Sequence, residues 1–203
     1  MFRRLREGPM LLTKELPEWV DIGGRAYPIN TDFRAGIEFE TLIQKGGANY
    51  YDLLSLFFGE QIPEDYKNAL QAVLLFYCCG ALPEKKEGSK STKQAYSFEM
   101  DSAAIYADFW QYYKINLWED ALHWWVFRSL LEGLPEKSEF KQRIYYRTCD
   151  LKDLSKNERK RILKIRERIA IKDTPRAKMT LEERNNAMIE YIQRRAKETA
   201  GGG

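Results

Sequence analysis

The side chains that most often carry enzyme chemistry are scarce in this sequence. Its 203 residues contain one histidine, His123, and three cysteines, Cys78, Cys79 and Cys149. Any nucleophilic triad of the serine or cysteine type would have to use His123, which precedes a tryptophan pair in a very apolar stretch. A general acid or base must reach its substrate. We therefore predict that His123 is a core or boundary histidine held by one or two hydrogen bonds.

The cysteines do not have the spacing of a metal site. Cys78 and Cys79 are adjacent at the end of a predicted helix, so their side chains point in different directions, and Cys149 is isolated. A structural zinc ion requires four ligands at tetrahedral spacing. We therefore expect no metal ion, and we expect buried, reduced thiols of the kind found in cytosolic proteins.

Phosphate-binding loops and distinctive carboxylate pairs are also missing. The glycine pairs at 23–24 and 46–47 lack the GxxxxGK[ST] and GxGxxG spacings that cradle phosphates. Acidic residues such as Glu38 and Glu40 have the spacing of an ordinary solvated helix face. The sequence therefore predicts a protein that binds no cofactor, has no catalytic residues and is not an enzyme.

Charge and aromatic residues divide the chain near Leu151. Residues 151–203 hold 15 Lys/Arg and 8 Asp/Glu, a net charge of +7, whereas the preceding residues hold 18 and 22, a net charge of −4. Of the 27 aromatic residues, 26 precede Leu151, and fourteen of these lie between Tyr96 and Tyr146. Because aromatic side chains supply much of the apolar area of a core, the core should lie before residue 151.

We expect four parts: a leader over 1–9, an aromatic-rich helical body over 10–150, a basic helical extension over 151–200 and a flexible end at 201–203. Met10 is an alternative first residue to Met1. The fold class is mainly α with a small N-terminal β-hairpin at 19–29. No apolar run approaches the roughly 20 residues that a membrane span needs, so no membrane partner is expected.

Local sequence patterns predict the secondary-structure elements. Gly23-Gly24 suits a two-residue turn that pairs Val20 with Tyr27. Helices are expected from residue 33 (with Asn30, Thr31 or Asp32 as cap), over 50–58, from Pro63 to Gly80, from an Asp101 cap, over 119–131 and from Pro135. Residues 83–97 read as a loop, and capping boxes at Ser155/Glu158 and Thr180/Glu183 predict two helices in the extension. The expected inner stripe after the loop comprises Ile105, Tyr106, Phe109, Trp110 and Tyr113.

Five segments together resemble the bacteriophage Gp-fifteen protein family of Gram-positive long-tailed phages and prophages. The similarity extends in order from about Met10 to Ile171. The segments are YPINTDFRAGIEFE (27–40), LLFYCCG (74–80), IYADFWQYYKINL (105–117), LHWWVFRSLLEGL (122–134) and YYRTCDLKDL (145–154).

The resemblance implies a tail morphogenesis factor acting in the host bacterial cytoplasm during phage assembly. Genes of the family lie in the tail module, close upstream of the tape-measure gene, a position typical of tail assembly chaperones. The implied partner is the tape-measure protein or another tail protein, with a homo-oligomer as a further expectation. The family brings no catalytic residues, and its motif residues Asn30, Asp32, Phe33, His123, Trp124 and Trp125 read here as caps and core.

Two alternatives stay open, and both depend on where the protein acts. The first is a structural tail component retained in the virion. The second is a nucleic-acid-binding or host-interacting regulator that uses the basic extension. Glu158 and Glu167 interrupt the basic run and no aromatic residues are interleaved with it, which favours a solvated or partner-facing helix over a nucleic-acid site. The candidate partner-binding residues are Tyr106, Trp110, Tyr113, Trp118, Trp124, Phe127, Lys160, Lys164 and Arg168.

Overall fold

A computed structural model describes residues 13–45, 48–81, 95–152 and 154–171. The chain forms two compact units, and each is discontinuous in sequence. Of the described residues, unit 1 comprises 13–45, 48–81 and 121–130, and unit 2 comprises 95–120, 131–152 and 154–171. The described elements are mainly α-helical with one two-stranded sheet, which confirms the expected fold class. The division into a body and an extension at residue 151 stays a prediction.

Unit 1 begins with the β-hairpin. Strands β1 (Trp19–Ile22) and β2 (Arg25–Pro28) are antiparallel, and their register pairs Val20 with Tyr27 as predicted. Both turn glycines have positive φ, 64° at Gly23 and 85° at Gly24, the conformation that a two-residue hairpin turn requires at both central positions. Ile22 and Ile29 are buried beneath the hairpin, so its apolar face packs inward.

Four helices complete the described part of unit 1. They are α1 (Phe33–Lys45), α2 (Tyr50–Phe58), α3 (Tyr66–Tyr77) and the first seven residues of α5 (Trp124–Glu132). Asp32 caps α1, because its Oδ1 accepts the backbone N–H of Arg34 at 2.8 Å. The expected start of α3 at Pro63 is wrong. The helix begins at Tyr66, where the Asp65 carboxylate accepts the N–H of Asn68.

The described part of unit 2 contains α4 (Phe98–Asp108), a π-helical turn (Phe109–Tyr113), the end of α5, α6 (Glu139–Thr148) and α7 (Lys156–Arg168). The predicted Asp101 cap is wrong, because Ser97 caps α4 and Asp101 lies one turn inside the helix. The predicted start of α6 at Pro135 is also wrong. Ser138 supplies the cap, since its hydroxyl accepts the N–H of Lys141.

The expected helix over 119–131 starts later, at Trp124. The Asn116 N–H donates to Asp120 Oδ2 at 2.7 Å, and the Asp120 N–H donates to the Asn116 carbonyl. These two hydrogen bonds form a turn. His123 then forms an antiparallel bridge with Asp32. The local turn and the long-range bridge to Asp32 together hold residues 116–123 out of the helix.

Several predictions concern residues outside the described ranges. Most of the 83–97 loop, the Thr180/Glu183 capping box, the leader over 1–9 and the end at 201–203 lie outside them. The capping box at Ser155 and Glu158 is confirmed, with both reciprocal hydrogen bonds present.

None of the helices in the described part of the chain combines the length and the apolar character that crossing a bilayer requires.

Unit 2 has a buried ion pair at its centre. Asp101 is fully buried and receives two hydrogen bonds from Arg147, at 2.6 and 2.8 Å, and one from Arg143 at 3.2 Å. Asp101 also accepts the N–H of Ser97, and Arg147 donates to the carbonyl of Ala95. This network joins α4, α6 and the chain before α4, and Arg147 extends it to the end of α7 by donating from Nε to the Ile169 carbonyl.

Removing the negative charge at this site should strongly destabilise the protein. In Asp101→Asn the Arg147 guanidinium stays buried without its counter-charge, which typically costs about 3 kcal/mol or more. We expect urea denaturation to give a free energy of unfolding lower by about that amount. Glu99→Gln, an exposed change in the same turn, serves as the control. Equal losses in both variants would contradict a stabilising role for the pair.

Candidate partner-binding surfaces

In the LHWWVFRSLLEGL segment, Trp124 lies in the interior of unit 1 and Trp125 is half-buried beside it. Two backbone hydrogen bonds join the start of α5 to the start of α1: Trp124 N–H to Thr31 O at 2.7 Å and Phe33 N–H to Leu122 O at 3.0 Å. The two indole N–H groups then donate to consecutive carbonyls at the end of α3. Trp124 Nε1 bonds Tyr77 O at 2.8 Å, and Trp125 Nε1 bonds Phe76 O at 2.7 Å.

Trp124 is completely buried among aromatic rings and against Gly36. Its indole stacks on Tyr77, with ring centroids 5.1 Å apart, and on Phe127 at 5.9 Å. A Cβ atom at position 36 would overlap the indole ring, so the closeness of α1 and α5 depends on the glycine. Trp124 and Phe127 are therefore corrected from candidate partner-binding residues to core residues, because neither exposes any side-chain surface.

His123 takes the structural role that the sequence predicts. Its Nδ1 accepts the backbone N–H of Trp125 at 3.1 Å, so the proton of the neutral ring must be on Nε2, which donates to Pro17 O at 3.1 Å. Burial lowers the pKa of the imidazole below its ordinary value, although the Pro17 hydrogen bond and the charge of Glu18 act in the opposite direction. The ring thus joins three segments of unit 1 in its neutral form.

Buried carboxylates are the structural residues that sequence reasoning missed. Glu40 accepts the Tyr77 hydroxyl at 2.5 Å and the Gln44 side-chain amide at 2.6 Å within unit 1. In unit 2, Asp108 caps α6 from another helix by accepting the N–H groups of Glu139 and Phe140. A signal existed for the second case, because Asp101 and Asp108 are seven residues apart and so share a face of α4 with apolar Ile105.

The remaining aromatic candidates lie in unit 2 and differ in exposure. Trp110 is 51% exposed and Trp118 is 81% exposed, whereas Tyr106 and Tyr113 are half-buried. The predicted inner stripe is therefore wrong at Trp110. The helix widens into the π-helical turn at Phe109, so the 3.6-residue period no longer specifies which side chains point inward.

The half-buried tyrosines have partners within unit 2. The Tyr106 hydroxyl donates to Asn116 Oδ1 at 3.2 Å, and the Tyr113 ring meets Phe109 edge-on. Burial raises the pKa of the Tyr113 hydroxyl.

Of the fourteen aromatic residues between Tyr96 and Tyr146, three are exposed, namely Trp110, Trp118 and Tyr145. Six of the fourteen are buried and the other five are half-buried, so the cluster is divided between core and boundary positions.

The basic candidates form a row on α7. Lys160, Lys164 and Arg168 are spaced four residues apart and are exposed, so they follow one another along a single side of the helix. The structure thus groups these three and places Trp110 and Trp118 on exposed positions of the same unit.

Two observations in the described residues concern thiols and metal ligands. Burial raises the pKa of the Cys78 thiol to about 11, which disfavours the reactive thiolate at neutral pH. Within the described ranges, no group of three or more His, Cys, Asp or Glu side chains is arranged to hold a metal ion.

Enlarging position 36 should destabilise the protein through Trp124. We expect Gly36→Ala to lower the free energy of unfolding by about 1–3 kcal/mol, the usual cost of overpacking, and Glu38→Ala on the exposed side of α1 to change it by less than about 0.5 kcal/mol. Urea denaturation measures both. A phenylalanine ring at position 124 is smaller than the indole and should relieve the overlap. Gly36→Ala should therefore lower the free energy of unfolding less in a Trp124→Phe background. Strict additivity would contradict the contact.

The free energy of unfolding should decrease as the pH falls, because His123 binds a proton more readily in the unfolded chain than in the folded one. The unfolded imidazole titrates near its ordinary pKa of 6.5 while the folded ring has a lower pKa. The unfolded state therefore binds the proton first, and stability present above pH 6.5 is lost as the pH falls below it, by at most about 1.4 kcal/mol per pH unit. Urea denaturation from pH 7.5 to 5.5 should show a steeper decline for wild type than for His123→Asn. Parallel declines would refute this role, since the chain has no other histidine.

A comparison with protein-family models identifies the chain's relatives. The model described as Bacteriophage Gp15 protein matches residues 12–171, which include both the Trp124 core and the exposed residues of α7. No curated protein and no solved structure gives a significant match. The match covers 160 of the 203 residues, nearly the range over which the sequence resembles the Gp-fifteen family. The chain therefore belongs to the bacteriophage Gp15 protein family.

Proposed function

We propose that this protein is a phage tail assembly chaperone that binds the tape-measure protein in the host cytoplasm and has no enzymatic activity. The observation that carries the proposal is the family match over residues 12–171, together with the tail-module setting that the resemblance implies. A chaperone of this kind works by binding, so it needs exposed side chains that can cover an apolar helical surface.

The exposed tryptophans of unit 2 supply such side chains. Trp110 and Trp118 leave 51% and 81% of their surface exposed, and large aromatic residues are the commonest anchors at protein interfaces. The buried tryptophan of unit 1, Trp124, serves stability instead. We therefore assign partner contact to Trp110 and Trp118 and core packing to Trp124.

Co-expression with the cognate tape-measure protein tests the proposal. We expect the two proteins to elute as one complex, and the tape-measure protein to become more soluble than when it is expressed alone. If its solubility is unchanged and no complex elutes, the chaperone function is wrong. Mass spectrometry of purified virions then separates the first alternative, since a retained structural component would be found in the particle and an assembly factor would be absent.

The tryptophan assignment has its own test. We expect Trp110→Ala/Trp118→Ala to weaken the complex at least about tenfold, because truncation of an aromatic anchor commonly costs 2 kcal/mol or more. The matched control is Trp19→Ala/Tyr51→Ala, which removes two similarly exposed aromatic side chains from unit 1. Circular dichroism verifies that both variants are folded. Equal weakening by both pairs would contradict the assignment.

A further inference from the structure

Helix α7 is held in one orientation by contacts inside unit 2. The Arg166 guanidinium donates to the carbonyls of Tyr146 and Cys149 at the end of α6, and Arg147 Nε donates to Ile169 O at 2.8 Å. Ile162 is buried, and the reciprocal bonds of Ser155 and Glu158 fix the first turn. These contacts define an inner side of α7, so the opposite side presents a fixed set of residues.

The outer side of α7 is strongly basic. Within the described part of the chain, its exposed basic side chains form no ion pair or hydrogen bond with another described residue. Unpaired like charges on one helix repel one another, so this face gains from an acidic partner. The side chains are Lys156, Arg159, Lys160, Arg161, Lys164 and Arg168.

An apolar residue lies within this basic surface. Leu163 is 48% exposed, and it follows Arg159 and Lys160 by four and three residues, so these side chains are its neighbours on the helix. A leucine flanked by cations matches an amphipathic partner that places an apolar side chain between carboxylates.

We propose that the outer face of α7, defined by Arg159, Lys160, Leu163 and Lys164, docks an acidic amphipathic helix of a protein partner. Carboxylates of the partner pair with the basic residues, and an apolar side chain covers Leu163. Nucleic acid fits this face less well. Glu167 lies four residues from Leu163 on the same side, its charge opposes phosphate, and α7 has no aromatic residue on which a base could stack.

The test uses the full chain and a synthetic probe. Fluorescence anisotropy measures binding of a labelled 20-residue helical peptide that carries leucines flanked by glutamates at spacings of three and four residues. We expect Lys160→Glu/Lys164→Glu to weaken binding at least about tenfold and Leu163→Ala to weaken it about fivefold. The control, Lys67→Glu/Lys137→Glu, makes the same change in net charge at exposed positions elsewhere and should leave binding unchanged.

Several results would overturn the proposal. These are the absence of peptide binding, equal losses in the control variant, or insensitivity to Leu163, which would indicate only diffuse charge attraction. Tighter binding of a 20-base-pair DNA duplex through Lys160 and Lys164 would assign the face to nucleic acid. A change of oligomeric state in the reversed variant, measured by sedimentation, would assign it to a second copy of the chain. The assay contains no tape-measure protein, so its outcome is independent of the proposed function.

Discussion

The contact between Trp124 and Gly36 is the constraint on which unit 1 depends. The indole fills the space that a side chain on α1 would otherwise occupy, and its N–H satisfies a carbonyl at the end of α3. One residue thereby positions three helices. The adjacent residues extend the same arrangement, because His123 and Trp125 bond to the chain before the hairpin and to α3. The start of the LHWWVFRSLLEGL segment is thus a set of structural contacts.

The sequence was most informative where local rules decide the structure. The hairpin register followed from two glycines, and the α7 cap followed from the Ser155/Glu158 pair. The α1 cap was narrowed to three residues, of which the structure uses Asp32. It was least informative where distant contacts decide. Asp101 has the features of a helix cap until Arg147, far along the chain, pairs with it. Trp110 fits an apolar stripe until the π-helical turn changes the period, and His123 continues a helical pattern until Asp32 pairs with it as a strand would.

The same distinction applies to the candidate surfaces. Aromatic residues are equally suited to a core and to an interface, so their type and spacing could not separate Trp124 from Trp118. The fold separates them by burying the first and exposing the second. The basic residues of α7 were easier to interpret, because side chains of their charge are seldom buried without partners. The functional proposal accordingly relies on few residues, all of them in unit 2, and treats the aromatic excess mainly as core material.

We infer that the protein binds its partner through exposed residues of unit 2 and that Trp124 of unit 1 is internal. Hydrogen–deuterium exchange on the free chain and on its complex with the tape-measure protein measures this most directly. We expect residues 109–118 and 156–168 to exchange more slowly in the complex than in the free chain. Residues 124–130 should already be protected from exchange in the free chain and should not change on binding. Protection that appears at 124–130 on binding, with none at the unit 2 segments, would contradict this inference.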